Sequence, residues 1–295
     1  MGFGPILGDR NQVLHPEMAP AEEMEPIRVV TSGDIVFEGL AKSEAHPFDD
    51  LGVRCTVFGN GKLVNTICRY TPAWFYNPLF KIHLLSSGAD DEEYVRKCGK
   101  IYSPIEQADF ILARGLFTIL GGGSHYLHNP FQEYSVEEET RLLQIALSRK
   151  PGGLPLLVAN PDTVRPDGED SPMPGLLAER YSKMGATDIR LIGKPHPLIY
   201  EACRQQLADA GIDASVANIA AVGDSLHHDV LGANRNGIDS IFIAGGVHYR
   251  KLGVPQSQAV PPDPIKLEEL LAEFERQHQC RPTLTLPGFV VQTKN

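Results

Sequence analysis

The sequence predicts an α/β chain with a parallel-stranded core and a second α/β segment inserted into it. Two observations carry that prediction. From about residue 186 onward, short apolar strands alternate with amphipathic helices: Ile189 to Ile192, a helix from Pro197, Ile219 to Val222, a helix from about Asp229, then Ser240 to Ile243. Strands separated by helices pair in parallel and gather ligands at their carboxyl ends. Between Arg54 and about residue 185 the texture differs, with several β-like runs in quick succession.

Residues 1–26 are rich in proline and acid and read as a loop, and Ile27 to Thr31 reads as a short buried strand. Ser32 is placed to cap a helix from near Asp34 carrying Ile35, Val36 and Leu40. Ala41 to Leu51 is a polar connector. Cys55 to Phe58 is a strand closed by Gly59-Asn60-Gly61, and β-like runs follow at Thr66 to Tyr70, Lys81 to Leu85 and Asp109 to Leu112. Ser135 and Glu138 form a capping box for a helix with Thr140, Leu143 and Leu147 on one face. Leu154 to Ala159 is a strand ending at Asn160-Pro161-Asp162, and Gly175 to Met184 is a helix stopped by Gly185. The helix from Pro197 has the stripe Ile199, Cys203, Leu207. Asp263-Pro264 opens a last helix with Leu267, Leu270, Leu271 and Phe274.

Composition narrows the function. At 295 residues the chain has room for two domains, with 42% hydrophobic residues, 22% charged residues and a formal charge of −10. No Lys/Arg block is present to neutralise a polyanion, so nucleic acid is not an expected partner, although a small phosphorylated ligand remains compatible. The five cysteines are scattered and never spaced C-x-x-C, which argues against a zinc site and a disulfide framework and for a reducing compartment. The first twenty residues lack the basic and apolar regions of a signal peptide, and no run is long enough to span a bilayer. A cytoplasmic location is the expectation.

The chemistry concentrates in two places. Gly193-Lys194-Pro195 ends one apolar strand, and about one βαβ repeat later a second strand runs into Gly223-Asp224-Ser225-Leu226-His227-His228-Asp229. A cation and a cluster of hard oxygen ligands at strand ends suit Mg²⁺-assisted phosphoryl chemistry. Lys194 alone is an ordinary loop lysine; its position at a strand terminus sets it apart. Asp229 also fits a helix-start acid favoured by the dipole, whereas Asp224, directly after Ala-Ala-Val-Gly, points into the ligand crevice. Adjacent His227 and His228 do not present one face to one ion and read as solvent-facing. Asn160-Pro161-Asp162 is either a turn or a substrate-contacting loop. The glycine clusters at 59–61 and 121–123 lack phosphate-loop spacing, and no G-x-G-x-x-G follows a strand, which leaves a dinucleotide-dependent oxidoreductase unsupported.

Together these fragments resemble the haloacid dehalogenase (HAD) superfamily, in particular its class IIA capped phosphatases. The carriers are Thr31-Ser32-Gly33-Asp34, Gln107 to Leu112, Ala159 to Asp162, Gly193 to Tyr200, Val222 to Leu226, Asp229 to Asn234, Gly237 to Ser240 and Gly245-Gly246-Val247. The resemblance implies a Rossmann-like three-layer core, here residues 1–52 and 186–295, around an α/β cap at 53–185. It implies Lys194 as the catalytic cation, Asp224 as a direct Mg²⁺ ligand with Asp229 as its loop companion, and Asn160 and Asp162 as cap residues that contact substrate. The implied reaction is phosphate monoester hydrolysis through an aspartyl-phosphate, with a small phosphorylated metabolite as partner, Mg²⁺ as cofactor, and a homodimer among the assemblies that caps of this subclass form.

One part of the pattern is missing. The family's nucleophile and acid form an Asp-x-Asp on the first strand, and no Asp-x-Asp occurs in the 295 residues. Met1-Gly2-Phe3 resembles the tail of the helix after the second strand. The expectation is an N-terminally truncated chain, an incomplete core with a complete cap, that does not hydrolyse phosphate monoesters. The alternative is a pseudophosphatase that binds a phosphorylated ligand. The sequence does not name the substrate.

Overall fold

A computed structural model describes residues 29–60, 91–121, 131–163, 172–212, 219–256 and 259–288. The chain forms two compact units, one spanning Ser32–Gly193 and one built on Lys194–Asn295 with residues 1–31. The architecture is mixed α/β with parallel pairing in both sheets. No helix of the described residues is long and apolar enough to cross a membrane.

The first unit is organised by a seven-stranded sheet. Its strands are β1 (Arg54–Gly59), β2 (Ile101–Tyr102), β3 (Phe110–Ala113), β4 (Thr118–Leu120), β5 (Phe131–Glu133), β6 (Leu156–Val158) and β7 (Ile189–Leu191). The order is β5-β4-β1-β3-β6-β7, with β2 pairing β1. β1, β3, β6 and β7 run parallel, in register Cys55↔Phe110, Ile111↔Leu156 and Leu156↔Ile189. β4 and β5 are antiparallel. β1 is central, which explains why Cys55 to Gly59 is apolar without alternation: both faces are covered. Thr56 is tolerated there because its hydroxyl donates to the Ser103 carbonyl at 2.8 Å.

Among the described residues, four helices accompany this sheet: α1 (Ser32–Lys42), α2 (Asp91–Lys97), α3 (Val136–Arg149) and α4 (Pro174–Lys183). Ser135 caps α3, its Oγ accepting the Glu138 amide at 3.2 Å, as the capping box predicts. The buried face of α3 is Glu139, Leu142, Leu143 and Ala146, however, and Thr140 is exposed. The stripe is shifted because Glu139 is neutralised inside the unit: Arg180 of α4 donates to both its oxygens at 2.9–3.0 Å, and the Tyr134 hydroxyl donates at 2.6 Å. Leu142, Leu143, Ala146, Leu156, Leu177 and Tyr181 pack in one core, where each large apolar side chain contributes roughly 1.5–3 kcal/mol.

The second unit holds a three-stranded parallel sheet of β8 (Ala220–Gly223), β9 (Asp239–Ile243) and β10 (Leu284–Leu286), ordered β10-β9-β8. Its helices are α5 (Pro197–Asp209), a π-turn at Leu226–Val230 that continues into α6 (Leu231–Arg235), α7 (Tyr249–Leu252) and α8 (Pro264–His278). Asp263 caps α8, accepting from the Ile265 and Lys266 amides, and Leu270, Leu271 and Phe274 pack with Leu226, Val230 and Phe242.

Several sequence expectations need correction. Val29 to Thr31, the described part of the expected strand at 27–31, forms no strand and is half-buried: no described strand pairs with it, and a strand exists only through such pairing. On α5, Cys203 is exposed and the buried pair is Ile199 and Tyr200. The expected strands at 66–70 and 81–85 lie outside the described residues.

Candidate active site

Lys194, Asp224 and Asp229 all belong to the second unit. Their preceding strands are not neighbours in one sheet. β7, which leads to Lys194, hydrogen-bonds β6 in the seven-stranded sheet, while β8 leads to Asp224 in the three-stranded one.

Asp224 follows β8 immediately. The chain then makes the π-turn: the Val230 amide donates to the Ser225 carbonyl five residues back at 3.2 Å, and the Ser225 hydroxyl accepts the His228 amide at 3.2 Å. This wide turn swings Asp229 back over the strand end. A Cβ on Gly223 would strike the Asp229 carboxylate, so only glycine leaves it room. Asp229 Oδ2 accepts the Ser225 amide at 3.0 Å, and Oδ1 accepts from Lys194 Nζ at 2.6 Å. The Asp229 side chain is 9% exposed and that of Lys194 44%. The carboxylate is thus fixed inside the unit, while the ammonium sits at its surface.

Asp224 is held from the other side. The loop after β9 passes so close that a Cβ on Gly246 would collide with the Asp224 side chain, and the Val247 amide donates to Asp224 Oδ2 at 3.0 Å. Burial, and then the neighbouring Asp229 charge, push the Asp224 carboxyl above the usual carboxylate range, while the Val247 amide and Lys194 oppose the shift. His248, next in the loop, accepts the Leu226 amide through Nε2 at 3.4 Å. Burial, with Lys251 and His227 nearby, depresses its pKa to about 4, so the imidazole is neutral. His227 is exposed, as expected, with its ring meeting Phe274 and His278 edge-on at 5.5 and 5.1 Å.

These residues fit a divalent cation. Among the described residues, no other residue's hydrogen bond engages the second oxygen of Asp224, and burial with the neighbouring Asp229 charge disfavours its ionised form, which an added positive charge would restore. A hard cation taking oxygen ligands supplies that charge. Both oxygens of Asp229 are already engaged, so its place is beside the cation rather than on it.

Asn160 and Asp162 belong to the other unit, just after β6. Asn160 Oδ1 accepts the Asp162 amide at 3.0 Å, which closes an Asx-type turn. The Asp162 carbonyl accepts the Gly175 amide at 2.9 Å, and this fixes the loop to the start of α4. The structure therefore brings Lys194, Asp224 and Asp229 together, and Asn160 with Asp162.

Nothing in the residue pattern pointed to the Val247 amide, the Ser225 turn or His248, because their roles arise from loop contacts. Other polar clusters are structural. Buried Asp91 pairs with Arg114, whose guanidinium lies 3.6 Å from the centre of the Tyr94 ring. Exposed His46, Asp49 and Asp50 are close enough to share an ion, but Arg190 donates to both oxygens of Asp50.

Comparison with known proteins bears on the fold. The family profile described as HAD-hydrolase-like matches residues 191–267, the segment that contains Lys194, Asp224 and Asp229. A haloacid dehalogenase-like hydrolase from Brucella suis 1330 is 22% identical, with a TM-score of 0.51 over 97% of this chain and 79% of its own. NagD from E. coli K-12 is 16% identical (TM-score 0.49, 99% of this chain, 82% of its own). A p-nitrophenyl phosphatase from Archaeoglobus fulgidus is 18% identical (TM-score 0.47, 90% of this chain, 74% of its own). No curated protein sequence matches the chain. The fold is HAD-like.

Proposed function

We propose that this chain carries the phosphoryl site of a HAD-like, Mg²⁺-dependent phosphate monoester phosphatase, and that these residues bind the phosphorylated ligand without turning it over. The observation that carries the reading is Lys194 Nζ at 2.6 Å from Asp229 Oδ1, with Asp224 under the influence of both charges. Asp229 orients the lysine. Lys194, nearly half exposed, presents its remaining N–H donors to a phosphoryl oxygen. Asp224 offers its open oxygen to Mg²⁺. When bound, the metal neutralises charge on the phosphoryl group. The ligand is a small phosphorylated metabolite of a cytoplasmic protein. The charge of −10 disfavours nucleic acid.

Turnover by this route needs a carboxylate in line with phosphorus and a second acid two residues on. No Asp-x-Asp occurs in the chain to supply them. The test is phosphate release from a chromogenic aryl phosphate with Mg²⁺. The expected rate equals that of the protein-free control; Mg²⁺-dependent release that Lys194→Ala abolishes would overturn the proposal that this chain is inactive.

A further inference from the structure

The three-stranded sheet of the second unit has one face in a core and one apolar face toward solvent. Ser240 and Phe242 of β9 are 1% and 0% exposed, and Phe242 packs with Leu231 of α6, Leu252 of α7 and Phe274 of α8. Helix α5 in turn lies against α6, with Arg204 donating to the Asn236 carbonyl at 2.6 Å. Asp239, Ile241 and Ile243 alternate with the buried pair and stand on the opposite face. The parallel register carries that division across the sheet, because paired residues share a side. Ile241 pairs with both Val222 and Leu284, and Ile243 with Leu286. The second face is therefore Ala220, Val222, Ile241, Ile243, Leu284 and Leu286. Val222 is 47% and Leu284 50% exposed, and none of the six belongs to the core around Phe242.

A strand with one face in water alternates apolar with polar residues, whereas parallel sheets carry helices on both faces. Here the outward positions are apolar: Leu284 and Leu286 flank Thr285, which shares the inner face with Phe242. Asp239 is the one charged residue in the three strands. The sequence is thus written for a cover on this side. Its dimensions select the kind of cover. Three strands about 4.8 Å apart make a face roughly 10 Å wide, which a single α-helix about 10 Å in diameter spans. Two copies of this chain stacked here would each bury roughly 300 Å² at most, short of the roughly 800 Å² per partner of a stable interface. The chain has no spare amphipathic helix to offer: residues 1–26, interrupted by Pro5, Pro16, Pro20 and Pro26, read as a loop, and 66–70 and 81–85 read as strands.

We propose that this face reversibly docks an amphipathic α-helix of a partner polypeptide, its apolar stripe set on Val222, Ile241 and Leu284. The polar flanks of that helix are basic, because the sheet contributes only Asp239 at the margin and the chain carries a charge of −10. The docking surface is independent of the phosphoryl-site reading above.

The probe is a synthetic helix of about 18 residues with leucines at i, i+3, i+4 and i+7 and lysines on its other face. It is titrated calorimetrically into the full chain, beside a peptide of the same composition with the leucines scattered. Binding of the first and at least tenfold weaker binding of the second are expected. Leu284→Lys, which sets a like charge under the stripe, is expected to weaken binding at least tenfold. Ile265→Lys, at a 70% exposed position of α8 outside this face, is expected to change it less than twofold. Both sites are at the surface, and a thermal melt of each variant checks that it remains folded. No binding of the first peptide, equal binding of the two peptides, or affinity that survives Leu284→Lys overturns the proposal. Sedimentation as a dimer that Leu284→Lys splits would assign the face to a second copy. Binding that appears only after removal of residues 1–26 would assign it to the amino-terminal segment; either result equally overturns docking of a partner helix.

Discussion

Lys194→Met removes one charge while keeping the length of the apolar stem, so its effect isolates the ion pair with Asp229. The pair is short, 2.6 Å, but unevenly buried, with Asp229 9% and Lys194 44% exposed. Exposed pairs contribute about 0–1 kcal/mol, and breaking a fully buried pair costs about 3–5 kcal/mol. Solvent screening of the half-exposed lysine puts this one between the limits, at about 1–3 kcal/mol. The Ser225 amide limits the loss by retaining one bond to Asp229. Unfolding of purified protein, followed in urea at pH 7, measures the cost. Asp229→Asn is expected to fall in the same range, and the double variant should lose less than the sum by at least about 0.5 kcal/mol, as residues in direct contact do. Strict additivity would mean that the two side chains do not hold each other, and the site geometry would be wrong.

Three further perturbations probe the surroundings. Gly246→Ala places a methyl group against Asp224 and should cost about 1–3 kcal/mol and weaken Mg²⁺ binding, both readable by calorimetry. The His248 pKa, depressed to about 4 from 6.5, makes its stabilisation complete above pH 6.5 and lost as pH falls toward 4, by at most about 2–3 kcal/mol. Protonation removes the acceptor for the Leu226 amide, and His248→Gln should flatten the stability profile between pH 6.5 and 4.5. In the other unit, Arg114→Met leaves Asp91 charged and 0% exposed and should cost about 3–5 kcal/mol, most of it recovered by adding Asp91→Leu; equal costs for the single and double variants would contradict the pairing.

Much of this was legible in the residues. The apolar runs at Cys55 to Phe58, Leu154 to Ala159, Ile219 to Val222 and Ser240 to Ile243 all became strands. The first two are buried throughout their paired residues, as parallel strands covered on both faces are, whereas Ala220 and Val222 of β8 are exposed. The Ser135 capping box and the Asp263-Pro264 start are local devices that a sequence shows directly. What stayed hidden depends on tertiary contact. Thr140 looked like a core position until Arg180 and Tyr134 made it favourable to bury Glu139 instead. Leu284–Leu286 is a strand only because β9 pairs with it. The π-turn after Asp224 looks like an ordinary helix start, yet its extra residue is what turns Asp229 toward Lys194. The three charges of the candidate site were visible by type and spacing; their division of labour, with Asp229 on the lysine and Asp224 open, was not.

The central claim is that Lys194 and Asp224 hold one phosphoryl group and one Mg²⁺ between them. Calorimetric titration of the protein with orthophosphate, with and without Mg²⁺, tests it most directly. The account predicts that Mg²⁺ tightens phosphate binding at least about tenfold, roughly 1.4 kcal/mol, and that Asp224→Asn erases the gain while Lys194→Met weakens binding in both conditions. Phosphate affinity indifferent to Mg²⁺, or a gain that survives Asp224→Asn, would contradict it.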